Sequence, residues 1–401
     1  MGQVTAMKRG STWQYRFEGA MIDGKRKRYT KGGFRTKAEA LEAGNKAKAE
    51  YDGGTYIRPS DMSLADYMDY WLEHHVKGHK AYETYDAYES ATRLHIKPQL
   101  GKYKLSALSP AIIQAWVDNY LRDEKHLSTQ SIANFSAVLS SAMKYAVHPL
   151  QYLKISPCQY VQLPKIPPKE EWKDKVDYVL SQDDWKAIEK TLAGTDWLFP
   201  IQLMYHTGMR IGECCALDLQ KDVDFETHTL TIRRQLRKIE SQWTFIPPKY
   251  NSVRSIYMGA TLEKLIKRYI ARKKENMLKY GELYTHTYKN DSGAVYELPG
   301  TIPVNDSLTE VWKVCRENGS MITPDSMKYV SRIIKAKVGL EYFHPHCIRH
   351  THGTILAQKG ASPKTIMERL GHKNITTTMH RYVFNTQEMK EEAARLFESA
   401  L

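Results

Sequence analysis

Residues 344–352 read His344-Pro-His-Cys-Ile-Arg-His-Thr-His352, four histidines and a cysteine in nine positions. Such density suggests a metal site, but the spacing argues for something else. Proline at 345 suits the first turn of a helix, and on that helix His346, Arg349 and His350 share one face. His352 points away from His350. A guanidinium on the shared face would repel a divalent cation, and no carboxylate occurs between Glu341 and Glu368 to offset it. Zinc sites instead show paired Cys or His ligands at characteristic spacing. The face suits an anion, and the rest of the chain indicates which.

With 401 residues the chain can form two or three domains, and its formal net charge of +14 is the electrostatic footprint of a nucleic-acid partner. Residues 1–57 concentrate that surplus, with twelve basic and six acidic side chains. The five cysteines form no Cys-x-x-Cys pair, so neither a disulfide framework nor a zinc knuckle is indicated. The N-terminus lacks the apolar run of a signal peptide, and no apolar stretch reaches eighteen residues. We expect a soluble protein of a reducing cytoplasm, with no membrane partner. Glycine-rich nucleotide loops are missing, so no cofactor is expected.

Along the chain, Trp13, Tyr15 and Phe17 alternate with polar residues, the pattern breaks at Asp23-Gly24 and it resumes through Tyr29, which predicts a small antiparallel sheet. Arg16, Lys25, Arg26, Lys27 and Arg28 give that sheet a basic face suited to a DNA groove. A helix capped by Thr36 follows. Residues 62–160 are helical: Leu64, Tyr67, Met68, Trp71 and Leu72, then Ile112, Ile113, Trp116, Val117 and Tyr120, then Ile132, Phe135, Leu139, Ala142 and Met143 recur at helical spacing and predict a bundle of about four helices. Pro164, Pro167 and Pro168, among lysines, mark an extended linker over 161–176. From 177 to 401 helices are mixed with strands, and THTLTIRRQL, QWTFIPPK and SVRSIYM predict one three-stranded antiparallel sheet. The fold expected is multidomain: a sheet-plus-helix start, an all-α bundle, and a mixed α+β domain ending in a tail helix.

Four more stretches carry candidate chemistry. In HTGMRIGECCAL, Gly208 allows a turn and Glu213 lies three residues after Arg210, where it can hold the guanidinium in place; a planar guanidinium grips two phosphate oxygens at once. In PPKYNSVRSI, Lys249 falls at a turn between predicted strands. In ERLGHKNITTT, a helix begun by Ser362-Pro363 ends at Gly371 and leaves His372 exposed. In TTTMHRYVFNT, Tyr382 follows a Thr-rich helix start.

In order and spacing, Arg210, Lys249, HCIR at 346–349, LGH at 370–372 and Tyr382 together resemble the active site of the tyrosine recombinases, or phage-type integrases, most closely those of conjugative transposons and temperate phages. The resemblance covers the whole chain. It implies an arm-type DNA-binding domain at 1–57, a core-binding domain at 62–160 and a catalytic domain at 177–401. The chain departs from the family in reading Tyr382-Val-Phe384 where many relatives have Tyr-Thr-His, and in carrying Ile348 and His352 where Leu and Phe are common. The resemblance implies a site-specific DNA recombinase that integrates and excises a mobile element without metal or ATP, as a homotetramer on double-stranded DNA. It also allows for an accessory excision factor and a host DNA-bending protein.

The chemistry agrees with that assignment. Two arginines, Arg210 and Arg349, neutralise a phosphorane-like transition state. Tyr382 attacks phosphorus, and His346 serves as base or orienting partner. The resemblance assigns Lys249 to protonate the departing 5′ oxygen and implies a 3′-phosphotyrosine intermediate. His372 would hydrogen-bond the phosphate. The tail after Asn385-Thr386 places Met389, Ala393, Leu396, Phe397 and Ala400 on one helical face, suited to docking on a neighbouring protomer. A non-catalytic helix-turn-helix regulator is the alternative for residues 360–382, but it gives no reason for Arg210, Lys249, Arg349 and Tyr382 to occur in that order. A metal-dependent nuclease lacks carboxylates near the histidines.

Overall fold

The computed structural model describes residues 3–22, 25–52, 62–165, 178–374, 395 and 397–398. Tyr382, most of the tail, the Asp23-Gly24 turn and most of the expected linker lie outside the described residues. The chain separates into two compact units, Met1–Ile166 and Pro167–Leu401.

In the first unit, β1 (Thr5–Arg9), β2 (Thr12–Ile22) and β3 (Lys25–Phe34) form an antiparallel sheet. Helix α1 (Lys37–Asp52) covers one face. Tyr15 and Phe17 are buried there, and Phe17 pairs with Tyr29 across the strands and packs on Tyr51 of the helix. Thr36 and Glu39 exchange side-chain and backbone bonds at the helix start, a capping box. The sheet has one strand more than the alternation suggested, because β1 pairs Ala6 with Tyr15 at the edge.

The five basic residues do not share a face. Consecutive strand residues alternate sides, so Lys27 and Arg28 diverge. Lys27 Nζ lies 5.8 Å from the Tyr29 ring, whereas Arg28 and Arg16 approach Glu18 at 3.6 and 3.9 Å.

The same unit continues into a helical bundle of α2 (Leu64–Trp71), α3 (Tyr82–Ala91), α4 (Lys97–Leu100), α5 (Pro110–Ala115) and α6 (Thr129–Val147). Serines 63, 109 and 128 cap α2, α5 and α6 through their hydroxyls. Three helices widen into π turns at Leu72–Val76, Thr92–Ile96 and Trp116–Glu124. The core joins Leu64, Tyr67, Met68 and Trp71 to Val117, Leu139 and Met143. Each such side chain contributes about 1.5–3 kcal/mol by leaving water.

The second unit opens with α7 (Gln182–Leu192), α8 (Leu198–Thr207) and α9 (Ile211–Ala216). Five strands follow: β4 (Val223–Asp224), β5 (Thr229–Ile232), β6 (Gln235–Ile239), β7 (Gln242–Ile246) and β8 (Arg254–Tyr257). The single three-stranded sheet expected here is instead two assemblies: β5 lies between β4 and β8, and β6 pairs with β7. The run THTLTIRRQL breaks at Arg233-Arg234 because both guanidinium groups turn to the buried Asp222, at 2.8 and 2.6 Å.

Helix α10 (Ala260–Tyr280) leads to a further sheet in the order β10-β9-β11 (Val295–Pro299, Thr285–Lys289 and Thr309–Glu310), which the sequence reading did not anticipate. Helices α11 (Pro324–Val338), α12 (Pro345–Gln358) and α13 (Pro363–Leu370) complete the described part. Helix α12 packs on α8 and α13, and α13 packs on β8, which brings the distant motifs together. Among the described residues, no helix is long and apolar enough to cross a membrane.

Candidate active site

The first arginine is placed by the turn between α8 and α9. Gly208 closes α8 at φ +67°, in the left-handed region that suits glycine, and a Cβ there would meet Leu370 at 2.6 Å and His352 at 2.7 Å. Arg210 is then extended and caps α9. Its N–H donates to Glu213 Oε2 at 2.8 Å, its Nη1 to Oε1 at 2.8 Å and its Nη2 to the Gly371 carbonyl at 3.2 Å. Glu213 is only 1% exposed. Burial alone would raise its pKa, but the hydrogen bonds and charge of Arg254, joined by Arg210, outweigh it and hold the carboxyl at about 2.

Arg349 rises from α12, which Pro345 starts as expected. It is 1% exposed; Nη1 donates to the Gly208 carbonyl at 2.8 Å and Nη2 to the Leu370 carbonyl. Arg349 and Arg210 therefore bond successive carbonyls, Leu370 and Gly371, and tie the end of α13 against the α8–α9 turn. Both guanidinium groups line one cleft of about 280 Å³ with His346, Gly212, Gln235 and Arg237.

The other histidines divide as their surroundings dictate. His346 is exposed, with its ring 4.8 Å from that of buried His350 in an edge-on contact. His344, half-buried, is lowered in pKa by burial and then by Lys335. His352 Nδ1 lies 2.8 Å from the Tyr205 carbonyl, so it must donate, and Nε2 accepts from Arg369 Nε at 3.0 Å. Burial, reinforced by the Arg369 charge, lowers its pKa to about 4. No three His, Cys, Asp or Glu side chains among the described residues are placed to share a metal ion.

Lys249 is exposed on the turn between β7 and β8. His372 is half-buried immediately after the αL residue Gly371, and its N–H donates to the Met367 carbonyl at 3.0 Å. Arg210, His346 and Arg349 are thus gathered in one cleft, and His372 adjoins the carbonyl that Arg210 holds. Tyr382 is outside the described residues.

Sequence reasoning missed Arg254 and Arg369. Arg254 grips Glu213 with both Nη atoms and donates Nε to the Arg369 carbonyl at 2.8 Å. Arg369 reaches His352 and, at 3.2 Å, the His206 carbonyl. Their partners lie tens or hundreds of residues away in sequence, so no local spacing marked them.

Three family models match the chain: the phage integrase family matches residues 179–389, the N-terminal SAM-like domain of phage integrases matches 63–121, and an arm DNA-binding domain matches 4–51. The chain belongs to the phage integrase family. As a family member it is a tyrosine recombinase, an enzyme of site-specific DNA integration and excision. It is 26% identical over 353 residues to a XerC-like tyrosine recombinase of Caldanaerobacter subterraneus subsp. tengcongensis, covering 85% of this chain and 84% of that one. Its fold is similar to that of the Tn1549 transposon integrase solved with circular intermediate DNA, with a TM-score of 0.64 and 20% identity over 85% of this integrase and 100% of that chain. It also resembles a lambda integrase tetramer bound to a Holliday junction, with a TM-score of 0.56 and 16% identity over 96% and 97% of the two chains.

Proposed function

We propose that this recombinase cleaves and rejoins the ends of a mobile element on DNA in a bacterial cytoplasm, with Arg210 and Arg349 as the phosphate clamp and Tyr382 as the nucleophile. The observation that carries the reading is the shared cleft. Two arginines are fixed against consecutive carbonyls there, beside an exposed histidine. A guanidinium has five N–H donors, and Arg210 spends one each from Nη1 and Nη2 on protein acceptors while its side chain keeps 20% of its surface open. Donors fixed in advance stabilise developing charge without reorganising at the moment of reaction.

In this reading the Tyr382 phenolate attacks the scissile phosphorus as the bond to the 5′ oxygen breaks. The phenolic proton passes to His346 or, where His346 only orients, to solvent. Lys249 gives a proton to the departing oxygen, and His372 hydrogen-bonds the phosphate. The products are a 3′-phosphotyrosine and a free 5′-hydroxyl, and reversal on a new partner strand rejoins DNA. Residues 1–57 serve as the arm-binding part, 62–160 as the core-binding part, 161–176 as linker and 177–401 as the catalytic part. A homotetramer on two duplexes is supported by the fold likeness to the tetrameric lambda integrase. An accessory excision factor and a host DNA-bending protein would direct the reaction.

The test is incubation with a nicked duplex bearing the element end, followed by denaturing electrophoresis. A covalent adduct is expected from the native chain and none from Tyr382→Phe, which should still bind DNA. An adduct from the Phe variant would move the nucleophile elsewhere.

A further inference from the structure

A lysine tip has four carbons of free rotation behind it, so something must aim Lys249. The backbone of its turn is closed: Asn251 N–H donates to the Pro248 carbonyl at 2.8 Å, Ser252 Oγ to the Lys249 carbonyl at 3.0 Å and Val253 N–H to the Asn251 carbonyl at 2.9 Å. Arg254, which begins the next strand, anchors the turn to Glu213 and to the Arg369 carbonyl.

Within the turn Tyr250 and Asn251 are both left-handed, at φ +62° and +52°. Asparagine tolerates this region, whereas a bulky tyrosine seldom enters it. Tyr250 is 61% exposed, yet the centre of its ring stands 5.1 Å from Lys249 Nζ and 5.6 Å from Lys373 Nζ. Lys373 directly follows His372. One ring therefore collects ammonium groups from two separate segments, the β7–β8 turn and the loop after α13. Each is attracted by the ring face, the two repel one another, and a phosphate brought between them would relieve that repulsion.

We propose that Tyr250 is a positioning residue whose ring brackets Lys249 and Lys373. The bracket aims Lys249 at the leaving 5′ oxygen and sets Lys373 against the adjoining DNA phosphate. It rests on the reading of Lys249 as general acid: its N–H proton moves to the 5′ oxygen as the phosphorus–oxygen bond breaks and the bond to Tyr382 forms, leaving a neutral amine that the reverse step reprotonates.

Two suicide substrates test it, one natural and one with sulfur replacing the 5′-bridging oxygen, since a thiolate leaves without a proton. Tyr250→Leu should cleave the oxygen substrate roughly tenfold more slowly and the sulfur substrate at nearly the native rate. Tyr250→Phe, which retains the ring, should keep most of the rate on both. Lys373→Ala should weaken DNA binding and lower the salt slope by about one ion; an unchanged slope removes Lys373 from the bracket. Native rates in Tyr250→Leu, an equal loss on both substrates, or Tyr250→Phe as slow as Tyr250→Leu would overturn the proposal. Lys249→Ala left unrescued by sulfur would instead overturn the general-acid reading on which it rests.

Discussion

Arg254 Nη2 lies 2.8 Å from Glu213 Oε2, and Nη1 lies 3.2 Å from Oε1, a two-pronged pair between side chains 41 positions apart. The same carboxylate bonds Arg210. Glu213 is therefore the shared anchor of a clamp arginine and of the strand that follows the Lys249 turn, and a change at Arg254 should be felt at both.

Breaking a buried ion pair from one side costs about 3–5 kcal/mol, and Arg210 remains to share the Glu213 charge. Arg254→Met should therefore lose about 2–3 kcal/mol in denaturant unfolding and slow cleavage, although it contacts no phosphate in our reading. Native stability in that variant would show that Arg210 alone compensates Glu213.

Lysine keeps the charge of arginine but loses the planar fork. Arg210→Lys and Arg349→Lys should bind DNA and cleave roughly 10²–10³-fold more slowly, the usual cost of one oriented donor at a developing oxyanion. Single-turnover cleavage at the native rate by either variant would remove that arginine from the clamp.

Gly208→Ala combines a left-handed backbone with a Cβ that would stand 2.6 Å from Leu370 and 2.7 Å from His352. Strain alone costs about 1 kcal/mol or more, and these neighbours belong to the α12–α13 packing that holds Arg349. A loss of about 2–3 kcal/mol and a lowered cleavage rate are expected. Thermal unfolding and cleavage measured side by side would check both.

His352 imposes a pH dependence whose sign follows from its lowered pKa of about 4. Between about pH 6.5, its unperturbed value, and pH 4, the unfolded chain binds a proton that the folded one refuses. The stability this histidine contributes is thus complete above about 6.5 and lost as pH falls to 4. His352→Gln should flatten the acid side of the stability curve over that window, whatever its effect at neutral pH. An unchanged slope would place the titration in other groups.

Removing residues 1–57 takes away six net positive charges. Cleavage of a short core-site substrate should persist, since Arg210, Lys249, Arg349 and Tyr382 all lie beyond. Affinity for longer element-end DNA should fall, with a shallower dependence on salt. An identical footprint on long DNA would give the sheet another role.

Local chemistry made much of this legible in the sequence. Pro345 at the start of α12, Ser362-Pro363 and Gly371 bounding α13, and the apolar periodicity from Leu64 to Trp71 each depend on neighbours within a few residues, and each is present. The pairing of Arg210 with Glu213 was legible for the same reason, since the two are three residues apart, although they meet as the extended cap and third residue of α9 rather than on one helical face. Strand partnership was not. Thr229–Ile232 and Gln235–Ile239 read as one run, and only the pull of buried Asp222 on Arg233 and Arg234, made in the folded chain, divides them between two sheets. Nor could spacing show that Arg254 would reach Glu213, that Arg369 would fix the tautomer of His352, or that Tyr250 would meet Lys373. Sequence by itself determined which side chains were available and which turns and helices carried them. The tertiary structure decided which charges meet, because an ion pair or a hydrogen bond depends on distance through space, and that distance exists only once α8, α12, α13 and β8 have packed together.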